Sequence, residues 1–490
     1  MPWGPQAQQN MKMDLRRYAG GVCRGSRSRN VTEAVKARLT GWPGRPFGTA
    51  ECRPARAVST QKRIELTRAS SSGRRKAMRY MELLYTHCCG IDVHKRSISV
   101  CVVTPGQRKQ PNQEVRQFGT MTGDLLALAD WLRDCGVTHV AMESTGVYWK
   151  PVWNILETEF EIVLVNASHI KQVPGKKTDT ADCIWIADLL RHGLLKPSFV
   201  PKQELRELRG LCRSRTTLVR QRAALSNRIQ KLLEDANIKL AAVATNVLGT
   251  SAKAMLRGML GGETDANRLA ELAQGRLRQK LPQLREALTG HLTDHHRFLL
   301  ARLLHQVEFY ELEIAAFEAE IDKHTTTFGE AVKLLDAIPG VDRVVAWTIL
   351  AEIGKDMNQF PTARHLTSWA GLCPGNHESA GKRASGRTRN GSPWLRAMIV
   401  QTAWAASHSK TSYLAAQYRR LAARRGTKRA LVAVACTILV IIWHILKFDR
   451  PYQDLGPDYL DRLKGDQARR YYTKRLQRLG WKVTLEPAVG

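Results

Sequence analysis

Four carboxylates stand in sequence settings where their chemistry calls for an explanation. Asp92 interrupts an apolar stretch in "GIDVHK", Glu143 closes the run "VTHVAME", and Asp179 and Asp182 lie three apart in "KKTDTADC". That spacing places the last two on one face of a helix. Alone, "TDTADC" reads equally well as a capped helix start, and Glu143 as a charge opening a helix. Asp92 resists such an account, because a carboxylate inside an apolar strand is costly unless something pairs with it. Acids at strand ends and on a neighbouring helix can converge at the carboxyl edge of an α/β sheet. Four converging carboxylates repel one another unless cations neutralise them, and hard oxygen donors suit Mg²⁺. Two such ions flank a phosphodiester and stabilise its attacking and leaving oxygens. In that setting Lys176 and Lys177 become phosphate contacts, and His94, beside Asp92, a supporting or surface group.

The elements that must hold these acids are legible in outline. "HCCGIDVHKRSISVCVV" has two β-rich runs around a short polar turn, which predicts a hairpin. Residues 137–143 and 161–167 are short apolar runs suited to buried parallel strands. "DLLALADWLRDC" and "VYWKPVWNILET" read as the helices between them, so the region is an α/β sheet domain. Trp149, Trp153 and Trp185 near the acids are core residues by default and stacking platforms for bases only as the lesser option.

Residues 200–325 read as helical. Leu211, Leu218, Leu225 and Leu232 recur every seven residues, and Leu300, Leu303, Val307, Tyr310, Ile314, Phe317 and Ile321 alternate by three and four. Both patterns predict a coiled-coil seam, within one chain or between chains, against the plainer alternative of a helical hairpin. Beyond 330, "LLDAIPGVDRVVAWTILAEIG" has the form of a helix-hairpin-helix, whose turn glycine would let backbone N–H groups approach a phosphate, or of a simple αα-hairpin. Residues 374–394 form a long polar loop rich in Gly, Ser and basic side chains, where function or disorder is expected.

The 490 residues carry a formal charge of +32, and residues 1 to 80 hold 18 Lys and Arg against 4 Asp and Glu. One-sign charge spread along the chain points to a polyanionic partner, nucleic acid first. The basic stretch "RRLAARRGTKR" (419–429) is a phosphate-contact patch or a solvated helix face. Ten cysteines show no CxxC pair, which argues for reduced thiols in a cytosolic protein. "ALVAVACTILVIIWHIL" is the one candidate membrane span; shortness and its Thr and His favour a buried core helix, so no membrane partner is expected. The Arg-, Gly- and Ser-rich leader lacks an apolar period and is expected to be disordered. It is either a basic arm or a translated upstream region before Met78 or Met81.

Several motifs occur together in one order: "GIDVHK", "MESTGVYW", "KTDTADC", "LLDAIPGV…LAEIG", "WAGLCPG…SAGK" and "LGWKVTL". The acids resemble the tetrad of RuvC-like, RNase H-fold nucleases, and the set over residues 86–485 resembles the IS one-ten family of insertion-sequence transposases. The resemblance implies that Asp92, Glu143, Asp179 and Asp182 bind Mg²⁺, two ions, in an α/β RNase H-like (RuvC-like) domain. It implies a coiled-coil helical insertion and a mainly α C-terminal transposase domain with a helix-hairpin-helix-like segment. The expected boundaries are a leader at 1–80, the RuvC-like domain at 81–195, the coiled-coil region at 196–328, the transposase domain at 329–450 and a tail at 451–490.

It further implies a serine nucleophile in the Gly/Ser-rich segment, matched by Ser379 with Ser385 and Ser392 as rivals, and a covalent phosphoserine–DNA intermediate formed where tetrad and serine meet over one strand. Lys382, Arg383, Arg387 and Arg389 could hold the scissile phosphate, or simply bind backbone as a basic loop. The partners implied are DNA, a structured guide RNA encoded by the element, and further copies of the chain as a dimer or tetramer, in a bacterial cytoplasm. Two other readings remain: a RuvC-like endonuclease or junction resolvase using water without a serine, and a non-catalytic nucleic-acid-binding protein.

Overall fold

A computed structural model describes residues 83–106, 111–166, 179–374, 377–379, 382–385, 387–388, 390–463 and 465–486. The leader expected at 1–80 lies outside them. The described chain divides in sequence between Val200 and Pro201 into two compact units.

In the first unit, β1 (Cys88–Val93), β2 (Ser97–Thr104), β3 (Asn112–Gly119), β4 (His139–Glu143) and β5 (Glu161–Val165) form one sheet in the order β3-β2-β1-β4-β5. β2 runs antiparallel to both its neighbours, while β1, β4 and β5 are parallel. The two parallel joins require crossovers, supplied by α1 (Thr122–Asp134) and α2 (Trp149–Leu156). Strand periodicity then divides the core into two layers. Cys89, Ile91 and Val93 of β1 pack with Leu128, Leu132, Val152 and Leu156 beneath α1 and α2. Cys88 of β1 and Ala141 of β4 pack on the other face with Cys183, Ile186, Ala187 and Leu190 of α3 (Asp179–Arg191).

Gly90 shows how close that second layer is. A Cβ there would fall 2.3 Å from the Cys183 carbonyl oxygen and 2.4 Å from the Ala187 nitrogen, so only glycine lets α3 lie on β1. β3 was absent from the sequence expectation for a physical reason. Residues 112–117 are all exposed and mostly polar or charged, as befits an edge strand protected from further pairing.

The second unit is helical apart from one hairpin. α4 (Gln203–Asp235) and α8 (Asp294–Thr325) pair within the chain. Leu208 and Cys212 meet Ile321, whereas Leu225, Ile229 and Leu233 meet Leu300, Leu304 and Val307, so the two helices are antiparallel. The expected α8 seam contains the buried Leu300, Val307 and Ile321; on α4 the buried line runs through Leu208, Cys212, Leu225, Ile229 and Leu233 rather than through every expected heptad leucine. The pair is laced by Arg215–Glu318 (2.5 Å) and Arg222–Glu311 (2.9 Å). Between them, α5 (Thr250–Leu260), α6 (Ala266–Glu271) and α7 (Leu281–Leu288) close a core around Met255, Leu256 and Leu284.

The two helices expected beyond 330, as a helix-hairpin-helix or a simple αα-hairpin, are α9 (Gly329–Asp336) and α10 (Arg343–Ile353). Gly340 between them, at φ +86°, lies against the backbone of α12 (Pro393–Ser407): a Cβ would sit 2.6 Å from the Thr402 oxygen. Helix packing by itself therefore requires a glycine at this turn. After α11 (Ala363–Trp369) comes the hairpin, then α12, α13 (Tyr413–Arg425) and α14 (Thr427–Phe448).

α14 is the apolar run noted in the sequence. It is the one described helix long and apolar enough to cross a membrane, and its residues from Val434 to Leu446 are buried inside the unit. Two of its polar groups find partners there, with Gln417 donating to Thr437 Oγ1 at 3.0 Å and Trp443 Nε1 to the Phe360 carbonyl at 2.9 Å. In the basic stretch 419–429, Arg420 pairs with Asp461 while Arg424, Arg425, Lys428 and Arg429 face solvent. α15 (Gly465–Arg478) is the last described helix.

One buried charge organises the second unit. Glu352, its side chain 2 % exposed, takes a bidentate pair of hydrogen bonds from Arg213 of α4 at 2.7 and 2.9 Å and a third from the Ser392 hydroxyl at 3.1 Å. Arg209 donates to the Ala351 and Glu352 carbonyls beside it. Removing one partner of a buried pair strands the other, so Glu352→Ala is expected to destabilise the fold by about 3–5 kcal/mol. Chemical denaturation of the purified protein measures this, and an unchanged midpoint would contradict it.

Candidate active site

The sheet brings the acids of the first unit toward one edge. β1 and β4 are parallel and in register from Cys88↔His139 to Ile91↔Met142, so Asp92 and Glu143 follow side by side at the carboxyl ends of adjacent central strands. Alternation puts both on the face covered by α3, since Cys88 and Ala141 point there. α3 runs antiparallel to β1: the Cys88 thiol donates to the Ala187 carbonyl, while Cys183 and Ala187 cover Gly90. The first turn of α3 is thereby carried toward Asp92, and that turn holds Asp179 and Asp182. Asp182 is half-buried; Asp179 opens the helix, and its side chain lies outside the described set.

Electrostatics record the same proximity. Burial pushes the Cys183 thiol up to about 11, and the charges of Asp92 and Asp182 both add to that rise. Asp92 is itself buried, its side chain 8 % exposed, and one carboxylate oxygen lies 3.2 Å from Nε2 of His94. His94 thus stands beside the carboxylate from the turn between β1 and β2. Trp149 and Trp153 of α2 stack edge to face at 5.8 Å in the opposite layer, away from the acids, and serve the core.

Among the described residues no three acidic, His or Cys groups are already gathered as a ligand set. The donor chemistry nevertheless fits a hard divalent cation: two carboxylates end adjacent strands, others occupy the facing helix turn, and Asp92 is a buried charge suited to a cationic partner. Lys176 and Lys177 lie outside the described residues.

The Gly/Ser-rich segment of the second unit contains a β-hairpin, where a loop without structure of its own was expected. β6 (His377–Ser379) pairs antiparallel with β7 (Lys382–Ser385). Ser379 faces Lys382 across the turn at the tip, and Ser385 faces His377 nearer the base. The base is closed by a bridge between Pro374 and Thr388. It is also pinned at Gly391, where a Cβ would lie 2.4 Å from the backbone of Ala370 and Gly371. Lys382 and Arg383 begin β7, Arg387 is exposed beside the bridge, and Arg389 lies outside the described residues.

Ser392 has other work. It caps α12, its hydroxyl accepting from the Leu395 N–H at 3.3 Å and donating to Glu352. Glu352 was missed from sequence, although an acid in the apolar run "WTILAEIG" is the same kind of signal that marked Asp92.

Comparison with known proteins gives two family matches. Residues 89–238, which contain all four acids, match a model of a DEDD transposase domain. The acids occur in the chain in that letter order: Asp92, Glu143, Asp179, Asp182. Residues 332–419, which contain the hairpin, match a model described as transposase, IS116/IS110/IS902 family.

Among curated proteins, the chain is 25 % identical over 295 residues to the transposase for insertion sequence element IS1111A of Coxiella burnetii, covering 59 % of this chain and 72 % of that one. It is 25 % identical over 331 residues to a probable family 20 transposase of Pseudomonas aeruginosa, covering 66 % and 88 % respectively. It is 21 % identical over 380 residues to the pilin gene-inverting protein of Moraxella lacunata, covering 74 % and 96 %.

Proposed function

The chain belongs to the IS110 family of insertion-sequence transposases, enzymes acting on DNA, and on that premise we propose how its own residues cut and rejoin a strand. The first unit is an RNase H-like domain in which Asp92, Glu143, Asp179 and Asp182 hold Mg²⁺, as two ions. When bound, that metal supplies charge stabilisation to the attacking and leaving oxygens of a phosphodiester. His94 keeps the Asp92 carboxylate oriented. The convergence of Asp92, Glu143 and the first turn of α3 at one sheet edge is the observation that carries this reading.

In the second unit Ser379, at the hairpin tip, is the nucleophile, with Ser385 as its rival. Its Oγ–P bond forms as the P–O bond to one stretch of strand breaks; the serine proton leaves, and the departing DNA oxygen gains one. The phosphodiester bond is conserved as phosphoserine, ready for attack by another DNA hydroxyl. Lys382, Arg383, Arg387 and Arg389 supply positive charge to the phosphate. A serine is a weak nucleophile alone and needs such activation.

A structured RNA encoded by the element pairs with the DNA partners; the charge of +32 and the family resemblance support it. Further copies of the chain assemble through the α4/α8 region, where Phe309 and Leu312 of α8 lie on one helix face at 53 % and 72 % exposure. The working divisions are 196–328 for the coiled-coil region, 329–450 for the transposase domain and 451–490 for the tail.

The test is purification from cells carrying the whole element, followed by sequencing of bound RNA and assay of a supercoiled plasmid bearing the element ends. The expected result is one enriched element-encoded RNA and strand cleavage that requires Mg²⁺. Absence of that RNA would overturn the guided part of the reading, and cleavage that persists in excess chelator would overturn the metal part.

A further inference from the structure

α4 carries seven arginines, and most of them are already occupied. Arg215 and Arg222 face the acids of α8, Arg213 is locked on Glu352, Arg209 on backbone carbonyls, and Arg206 on the Pro201 carbonyl at 3.1 Å. Arg220, Arg228 and Lys231 are different: each is exposed, and none has an acidic partner among the described residues. At 100° per residue they fall within an arc of about 80° on one face, spread over roughly 16 Å of helix axis. Exposed residues of a packed helix share one side in any case; what sets these three apart is that they lack acidic partners among the described residues while the other five arginines of the helix are held by acids or carbonyls.

A second observation gives the row a fixed end. The Arg220 guanidinium lies 5.0 Å from the ring centre of Trp394, the second residue of α12, and Arg213 lies 5.6 Å from the same ring. Arg213 is neutralised by Glu352, so the net charge of this stack belongs to Arg220. The stack borders a cavity of about 150 Å³ lined also by Thr348, Met398 and Gln401. An aromatic face orders a guanidinium while leaving its N–H edge free for a bidentate phosphate contact.

We propose that this face of α4, from Arg220 to Lys231, is a track for the phosphate backbone of a nucleic-acid duplex, with Trp394 positioning Arg220 at its head. This rests on the chain's action on nucleic acid and adds a contact surface apart from the acids and the serine. DNA and RNA duplexes share the phosphate chemistry, so the experiment carries both.

The full-length protein is titrated into a fluorescently labelled DNA duplex and an RNA duplex of the same sequence across a range of KCl concentrations. Three phosphate contacts contribute a slope of about −0.9 each to log K against log salt. The triple variant R220A/R228A/K231A should therefore lower the slope by roughly 2.7 on at least one duplex. Loss on DNA alone makes the track a DNA surface, loss on RNA alone an RNA surface, and loss on both a shared one. A control triple, R268A/K323A/K333A, removes the same charge from residues that pair with acids three to five residues away in their own segments. Trp394→Leu should reduce the slope by about 1, and Trp394→Phe should restore it. Equal slopes for the two triples on both duplexes would overturn the proposal. Strand cleavage scored in parallel keeps the readings separate: unaltered binding with intact cleavage removes the track alone, whereas loss of cleavage in acid-site variants that bind normally concerns the catalytic reading alone.

Discussion

Asp92→Asn is expected to abolish DNA cleavage and strand transfer while leaving the protein folded. The substitution keeps size and shape and removes one negative charge from a side chain that is 8 % exposed. If Asp92 is a metal ligand, the transition state loses several kcal/mol of charge stabilisation. At 1.36 kcal/mol per decade, that is a rate loss on the order of 10³-fold or more. Folding should not suffer in the same way, because a buried carboxylate is costly to desolvate and an amide is less so. Initial nicking rates in Mg²⁺, read beside a thermal melt, separate these effects. A rate within a few-fold of wild type would remove Asp92 from the metal site. A collapsed melt would instead make its role structural, through His94 and the β1–β2 turn.

Ser379→Ala is expected to remove the protein–DNA covalent product entirely and to cut strand transfer by about 10⁴-fold or more, since no other group replaces a nucleophile efficiently. A metal-dependent nuclease that uses water would keep cutting after this change, so the variant distinguishes the two enzyme classes. Ser385→Ala provides the comparison from the other strand of the hairpin, where it faces His377. Ser392→Ala should behave as a stability variant, costing about 1 kcal/mol as an N-cap loss, because its hydroxyl is held by Glu352 and the start of α12.

What could be read from the sequence followed physical contrast. Asp92 stood out because a charge was set inside an apolar strand, and the sheet's period of two then fixed its face together with that of Glu143. α14 stood out because its run of apolar residues is continuous, as a core helix requires. Where contrast is weak, elements leave little trace in the sequence. β3 is an edge strand with polar side chains and carries little apolar signal. The hairpin segment at 377–385, "HESAGKRAS", has no large apolar side chain, so its pairing is a matter of backbone hydrogen bonds that composition does not reveal. The α4 seam was displaced because that helix packs on two partners: Leu208 and Cys212 face α8 and α10, while Leu225, Ile229 and Leu233 face α8 and the inserted helices. Leucines on such a helix do not all lie on one line. The packing role of Gly340 was hidden because the sequence shows a turn glycine but not the α12 backbone packed against it. The serine was legible only through resemblance, since a hydroxyl gains its reactivity from neighbours brought close by folding.

A metal-bound acidic site and a serine are proposed to act together in making a phosphoserine link to DNA. The most direct test is to incubate the protein and its co-purified RNA with end-labelled element DNA in Mg²⁺, stop with denaturant, and map the DNA-linked peptide by mass spectrometry. The prediction is a denaturant-stable adduct on Ser379, absent without Mg²⁺ and absent in both Asp92→Asn and Ser379→Ala. Cleaved DNA with no protein attached, or an adduct that persists unchanged in Ser379→Ala, would contradict it.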